Sequence, residues 1–188
     1  MPICVRFSGG LAWCRAEIVT GRMHMSKTVV IAVAALLVLG SFANDASAGL
    51  YAGGKAGIMM VDVGSGDDPI NAGVVIGYAM DAAEWGALAV EGEYTMSVVD
   101  GKEAGMSYDL STLAVYAAYR SAGSFYGKAK IGFLKETIGM GGASGDDSGL
   151  SYGAGLGLRV GDSLSAEFEY TLIEKDVSFF SAGAIFSF

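Results

Sequence analysis

The strongest constraint in this 188-residue chain is an alternation of apolar and polar residues with a period of two. In 164–172, LSAEFEYTL, every second residue is apolar, and Glu167 and Glu169 fall between apolar neighbours. In 150–160, LSYGAGLGLRV, leucine, tyrosine and alanine alternate with serine, glycine and Arg159. A helix would repeat its apolar positions every three or four residues, so both runs predict β-strands with two unlike faces.

The same pattern divides residues 49–188 into eight predicted strands. Each is about 9–11 residues long or somewhat longer, the length that a tilted strand needs to cross a bilayer. The predicted strands lie near 50–61, 71–80, 87–98, 108–120, 124–137, 150–160, 164–174 and 178–188.

The connections between these runs are predicted to alternate in length. Those after the first, third and fifth strands, 62–70, 99–107 and 138–149, are longer and rich in glycine or acidic residues. The other connections are short. Short turns on one side and longer loops on the other are typical of a transmembrane β-barrel with antiparallel up-and-down strands.

Residues 25–48 predict a cleavable export signal ahead of the strands. Lys27 supplies its positive charge, and the residues from Val29 to Leu39 are all apolar. Ala46 and Ala48, separated by one serine, form a small-residue cleavage site. This apolar run is too short for a membrane-spanning helix, which favours cleavage over retention as an anchor.

Cleavage after that site would leave residues 49–188 as one barrel domain. We interpret residues 1–24 as an extension ahead of the true initiator, Met25; an unusually long start of the signal is the alternative. Residues 49–188 contain no cysteine or histidine, and 18 acidic residues against eight lysines and arginines. This balance argues against nucleic-acid binding, which needs a basic face. Without disulfides, hydrogen bonds closed around a barrel would stabilise the domain.

The charged residues of the predicted strands fall opposite the apolar faces. If the apolar faces contact lipid, these charges point into the barrel. An eight-stranded barrel has an interior just wide enough to be filled by side chains. Unpaired charges there would be costly, so we predict a mutually satisfied network of ion pairs. Its members are Lys55, Glu91, Glu93, Arg120, Lys128, Lys130, Arg159, Glu167 and Glu169.

Two of these carboxylates also allow a catalytic interpretation. Glu167 and Glu169 are two residues apart on one face, a spacing that would suit a general acid and base. The nearby cations favour structural pairing instead, since ion-pair networks are also built from such groups. We therefore predict no catalytic residues, no metal site and no cofactor.

The last strand carries a second kind of signal. In 178–188, SFFSAGAIFSF, every second residue from Phe180 onwards is phenylalanine or alanine. The phenylalanines of this series are Phe180, Phe186 and the terminal Phe188. A terminal aromatic residue after alternating apolar residues looks like the signal that the outer-membrane barrel-assembly machinery recognises. With the export signal and the loop pattern, residues 49–188 resemble the small eight-stranded outer-membrane barrels of the OmpX, Ail and opacity-protein type, and the barrel domain of OmpA.

This resemblance implies an all-β, eight-stranded antiparallel transmembrane barrel in the bacterial outer membrane. It implies contact with outer-membrane lipid and lipopolysaccharide, and we expect a monomer. The external loops would then face an unknown ligand, in a structural or surface-interaction role. Clustered loop carboxylates could bind Ca²⁺, but no complete calcium-loop spacing is present, and solvated loops are the preferred interpretation. The acidic loop residues are Asp62, Asp67, Asp68, Asp100, Glu103, Asp146 and Asp147.

Three other functions remain alternatives. A lipid-modifying barrel enzyme is disfavoured, because hydrolytic chemistry usually needs a histidine base and residues 49–188 have none. A narrow channel for small or apolar solutes is disfavoured by the charge-filled interior. A soluble ligand-binding barrel would carry apolar residues inside, the reverse of the predicted arrangement.

Overall fold

A computed structural model describes residues 49–62, 66–80, 84–103 and 105–188. The predicted extension, the export signal and its cleavage residues Ala46 and Ala48 lie outside the described residues. Helices of sufficient length and apolarity to cross a membrane are absent from these ranges. The described residues form the strands β1 (Leu50–Val61), β2 (Ile70–Ala79), β3 (Gly86–Val99), β4 (Gly101–Glu103), β5 (Met106–Ser121), β6 (Phe125–Met140), β7 (Ala143–Arg159), β8 (Leu164–Glu174) and β9 (Val177–Ser187).

The strands form one closed antiparallel sheet. Their order is β3-β2-β1-β9-β8-β7-β6-β5-β4, and an additional pairing between β3 and β5 closes the ring. β4 is a three-residue extension that pairs with the start of β5. The remaining strands are an eight-stranded up-and-down barrel, so the predicted fold is confirmed. Closure satisfies the backbone hydrogen bonds of the wall, as a hydrocarbon environment requires.

The alternation along each strand places one set of side chains inside the barrel and the other set outside. On β7, Leu150, Tyr152, Leu156 and Leu158 point outwards and are 49–63% exposed, whereas Ser151 points inwards and is fully buried. The other long strands follow the same rule, so that exposed apolar side chains encircle the barrel. Such a belt is what contact with lipid requires.

Two of the three predicted long loops are largely paired strand. β6 and β7 pair out to Met140 and Ala143, so that 138–149 is mostly a hairpin. Gly141 and Gly142 close it with positive φ values of 59° and 89°, which glycine adopts without strain. Segment 99–107 is largely β4 and the start of β5. The prediction of loops was wrong because glycine, serine and aspartate disfavour strands in isolation, whereas pairing with a neighbouring strand overrides that preference.

Candidate functional site in the barrel interior

The interior changes character along the barrel axis. We call the end where β1 begins and β9 ends the terminus end, and the end where the β6–β7 hairpin projects the hairpin end. Along β3, Ala89 is followed towards the hairpin end by Glu91 and Glu93; along β6, Lys128 and Lys130 are followed by Leu134. Charged side chains thus lie between two groups of apolar side chains.

Eight charged side chains meet in the middle of the interior, and we call them the charged cluster. Residues two apart on a strand share a face, so β3, β6 and β8 each contribute two members. β1 and β5 contribute one each. Seven members are buried, and the side chain of Arg120 is 12% exposed. The members are Lys55, Glu91, Glu93, Arg120, Lys128, Lys130, Glu167 and Glu169.

One half of the charged cluster is built around Glu93 and Glu169. The Glu93 carboxylate lies 2.5 Å from Lys55 Nζ and 2.7 Å from Lys130 Nζ. Glu169 contacts the same two lysines, at 3.7 Å and 2.7 Å, and also Lys128 Nζ at 2.5 Å. Each carboxylate therefore bridges at least two ammonium groups, which offsets the cost of burying them.

The other half is built around Arg120 and Lys128. Arg120 Nη2 lies 2.6 Å from Glu91 and its Nε 2.7 Å from Glu167. Lys128 Nζ contacts Glu91 and Glu167 at 3.1 Å and 3.0 Å. Since Lys128 also binds Glu169, it joins the two halves. Four cations and four carboxylates thereby form one neutral, connected assembly.

Tyrosine side chains, which were not among the predicted members, complete the charged cluster. The Tyr51 hydroxyl donates a hydrogen bond to Glu91, and the Tyr126 hydroxyl donates one to Glu167, both at 2.7 Å. The ring of Tyr51 lies 4.6 Å from the Arg120 guanidinium, close enough for a cation–π contact. Both tyrosines occupy inward positions of their strands, but position alone does not reveal which carboxylate a hydroxyl reaches.

Arg159 lies outside the charged cluster, contrary to the sequence prediction. It is the last residue of β7, at the terminus end, and its side chain is exposed. Its guanidinium donates to the carbonyl oxygen of Gly123 and lies 4.9 Å from the ring of Tyr126. Arg159 does belong to the inward-facing series of its strand, as predicted. Because it lies at the rim of the barrel, its long side chain reaches a turn instead of a carboxylate.

Towards the hairpin end the interior contains a group of apolar side chains that was not predicted, beside buried polar ones such as Asn71 and Glu136. We call this group the apolar cluster: Met59, Leu110, Ala114, Tyr116, Leu134, Ile173, Val177 and Phe179. The sequence does contain a signal for it. At three places two consecutive residues are both apolar, so the alternation stops there. These pairs are Met59-Met60, Leu172-Ile173 and Phe179-Phe180. One member of each pair faces lipid and the other fills the barrel.

The acidic residues near the hairpin end make local contacts. Asp68 accepts a hydrogen bond from the backbone amide of Val61 at 3.1 Å. Asp146 contacts Thr137 at 2.7 Å and Lys135 at 3.0 Å, and these contacts lower the pKa of its carboxyl group. Among the described residues, no group of three or more histidine, cysteine or acidic side chains is arranged to hold a metal ion.

The aromatic residues of the predicted assembly signal lie at the seam between β9 and β1. Phe180 and Phe186 point outwards and are 52% and 51% exposed. The backbone amide of Phe188 donates to the carbonyl oxygen of Leu50 at 3.0 Å, and its ring lies 5.9 Å from that of Phe186. Recognition of these residues by the assembly machinery remains a prediction.

Comparison with known proteins places this architecture in a family. The model of the outer membrane protein beta-barrel domain matches residues 29–188. No curated protein matches the sequence. Among solved structures, Neisserial surface protein A superposes with a TM-score of 0.56 at 18% identity, covering 75% of this chain and 98% of that one. Ail of Yersinia pestis, solved with the heparin analogue sucrose octasulfate, gives a TM-score of 0.52 at 18% identity, covering 74% and 98%.

Both structural matches are too distant in sequence to show more than a shared fold. The family match covers most of the chain and agrees with the closed, lipid-facing barrel described above. The chain therefore belongs to the outer membrane protein β-barrel domain family and is a bacterial outer-membrane protein.

Proposed function

We propose that this protein is a non-conducting outer-membrane anchor that acts through the segments it exposes at the hairpin end. The observation that carries the proposal is the pairing of every member of the charged cluster across the interior. An interior filled in this way supports a role for the barrel as a rigid support rather than as a pore or an active site.

The packing of the charged cluster argues against conduction. A cavity of about 10 Å³, scarcely room for one water molecule, lies next to Lys55, Glu167 and Glu169. A larger cavity of about 120 Å³ lies nearer the terminus end, beside Tyr51, Arg120 and Tyr126. An ion that crossed the level of the charged cluster would have to separate buried ion pairs. Separating a buried charge from its partner costs several kcal/mol. The apolar cluster adds a second obstacle to ions nearer the hairpin end.

The same packing argues against an enzyme. Glu167 and Glu169, the pair with acid–base spacing, are 2% and 5% exposed and bind cations of the charged cluster. A general acid or base must reach the proton that it transfers, and these carboxylates are enclosed by the barrel wall. Residues 49–188 contain no histidine that could act in their place.

The chemistry of the hairpin end favours cationic ligands. Its acidic residues outnumber the lysines found there, Lys102, Lys135 and Lys175. The solved Ail complex contains sucrose octasulfate, a polyanion. A surface rich in carboxylates would repel such a ligand, so we infer that this protein differs from Ail in the sign of the ligand charge.

Conductance measurements test the closed interior. The purified barrel is inserted into planar bilayers, with a large porin inserted by the same protocol to show that channels are detected. We expect no steady single-channel steps from this protein, because the charged cluster leaves no path. Steady steps from the folded wild-type barrel would overturn the closed-anchor proposal and support a channel.

Peptide binding tests the external role. The protein in lipid nanodiscs is titrated with a fluorescent peptide of alternating lysine and threonine, and with a matching peptide of glutamate and threonine. We expect only the lysine peptide to bind, with an affinity that falls as salt screens the charges. Substituting Asn for Asp67, Asp68, Asp146 and Asp147 should weaken binding. Asp162→Asn, at the terminus end, is the matched control and should not weaken it. Equal binding of both peptides would contradict the proposal.

A further inference from the structure

The cavity of about 120 Å³ lies inside the barrel at the terminus end, beside the charged cluster. Two side chains of its lining, Arg159 and Ser187, are exposed, so the cavity opens to solvent at that end. The short turns of an outer-membrane barrel face the periplasm, and the turns 122–124 and 160–163 lie at this end. We call this space the periplasmic cavity. Its polar lining consists of Tyr51, Arg120, Tyr126, Arg159, Ser165 and Ser187.

Arg159 gives the mouth of the periplasmic cavity an unbalanced positive charge. The four cations and four carboxylates of the charged cluster neutralise one another. Arg159 adds a further cation, and it forms no ion pair with any described residue. Glu84 and Asp162 are exposed at the same end, but neither of them pairs with it. The mouth of the cavity is therefore suited to receive an anion.

The guanidinium of Arg159 is held in place without a ligand. It donates a hydrogen bond through Nη1 to the carbonyl oxygen of Gly123 and lies 4.9 Å from the ring of Tyr126. That ring is itself fixed, because its hydroxyl donates to Glu167 at 2.7 Å. The bond to Gly123 leaves the Nε and Nη2 side of the guanidinium for a ligand, and this side matches the two oxygens of a carboxylate. A group that is already ordered loses less entropy on binding.

The rest of the lining indicates the charge and size of the ligand. Arg120 lies at the inner side of the cavity, but Glu91 and Glu167 already bind its guanidinium. These two carboxylates would repel a second negative charge on a ligand, so a single charge fits best. Ser165 and Ser187 offer hydroxyl groups at the mouth. The remaining lining is apolar and suits a short hydrocarbon group: Ala79, Ala87, Ala89 and Ile185.

We propose that the periplasmic cavity binds a small monocarboxylate that enters from the periplasm. Arg159 binds its two oxygens, the hydroxyl groups of Ser165 and Ser187 donate to them, and the alanines accommodate its short apolar part. The site lies at the opposite end of the barrel from the segments of the proposed external role, and it does not depend on that role. The charged cluster closes the inner side of the cavity, so the ligand binds without passing through the barrel.

Propionate is the probe that tests this site. The ¹⁵N-labelled protein, folded in detergent micelles, is titrated with sodium propionate at constant ionic strength, and NMR follows the Arg159 Nε–Hε signal and the amides of Ser165 and Ser187. Propionamide has nearly the same shape without the charge and is the matched ligand control. We expect propionate to shift these signals to saturation and propionamide to leave them unchanged, because the guanidinium binds a charged carboxylate more strongly than a neutral amide.

Variants of Arg159 test whether its guanidinium carries the binding. Arg159→Gln should weaken propionate binding by at least about fivefold, and Arg159→Lys, which keeps the charge without two adjacent N–H donors, should have an intermediate effect. Lys175→Gln removes an exposed cation at the hairpin end and is the matched control, with an expected change below about twofold. The gel shift between folded and boiled protein verifies that each variant is folded.

Three results would overturn the inference. Equal responses to propionate and propionamide would show that the cavity does not select charge. Unchanged affinity in Arg159→Gln would exclude this guanidinium as the ligand-binding group. Tighter binding of methyl phosphate than of propionate would refute selection of a single negative charge. The proposed function would survive all three, because conductance and the binding of lysine peptides at the hairpin end are measured separately.

Discussion

The charged cluster and the apolar cluster fill the same barrel with opposite chemistry. The first consists of ionised groups that are each satisfied by particular partners, such as Lys128 with three different carboxylates. The second consists of side chains, such as Leu110 and Phe179, that need only neighbours of suitable volume. The stability of the charged cluster therefore depends on every member being present. That of the apolar cluster depends on how completely its side chains fill the space.

This difference separates two ways in which the barrel can be weakened. Removing one member of an ion-pair assembly leaves another buried charge with too few oppositely charged partners. Removing part of an apolar side chain leaves a cavity, whose cost depends on how far the neighbours relax. Substitutions in the two clusters should consequently differ in how much they lower the free energy of unfolding. They should also differ in how far a second substitution changes that loss.

The largest effect should come from Glu169→Ala. Glu169 contacts three lysines, so its loss leaves an excess cation in a buried site. We expect the free energy of unfolding to fall by about 3–5 kcal/mol. The measurement is urea unfolding of the barrel in detergent micelles, followed by the gel shift between folded and boiled protein. Phe168→Ala, on the neighbouring lipid-facing position, is the control; equal losses in both variants would contradict the distinction between faces.

A smaller loss should follow from Leu110→Ala in the apolar cluster. Leu110 is fully buried, so truncation creates a cavity and should cost about 2–4 kcal/mol. Leu113→Ala on the same strand is the matched control, since Leu113 is 60% exposed and lipid can fill the space. Unfolding in urea again provides the comparison. If Leu113→Ala proved as costly as Leu110→Ala, the apolar cluster would not be a packed core.

A double substitution can show that the charged cluster acts through pairing. Glu93→Gln alone leaves Lys55 without its nearest carboxylate, which lies at 2.5 Å. Adding Lys55→Met removes that charge and restores neutrality. We expect the double variant to be more stable than Glu93→Gln, with a coupling free energy of about 1–3 kcal/mol in a double-mutant cycle. Additive losses would mean that the two side chains act independently.

The smallest effect should come from Arg159→Ala. Its guanidinium lies at the exposed rim and has no carboxylate partner among the described residues. Exposed substitutions of this kind change the free energy of unfolding by about 0.5 kcal/mol or less. A loss as large as that of Glu169→Ala, measured side by side in urea, would place Arg159 in the charged cluster after all.

Particular residues show where prediction from the sequence stops. The parity of Lys128, Lys130, Glu167 and Glu169 follows from alternation, because neighbouring residues of a strand point to opposite faces. Their partners do not follow from parity. Along the ladder, Glu93 lies opposite Ala114 and Ala114 opposite Leu134, yet Glu93 pairs with Lys130, four residues closer to the terminus end. The tilt of barrel strands brings together side chains at different ladder positions.

The sequence by itself determined the all-β barrel, the faces of its strands and the segregation of charge from lipid, because these depend on a local period of two. The tertiary structure decided which charges pair, that Arg159 stays at the rim, and that Met59 and Leu110 form an apolar cluster. It also decided that β7 extends beyond β8, so that one edge of β7 is open over this extension. These features depend on strand tilt and length relative to neighbours, which no single strand encodes.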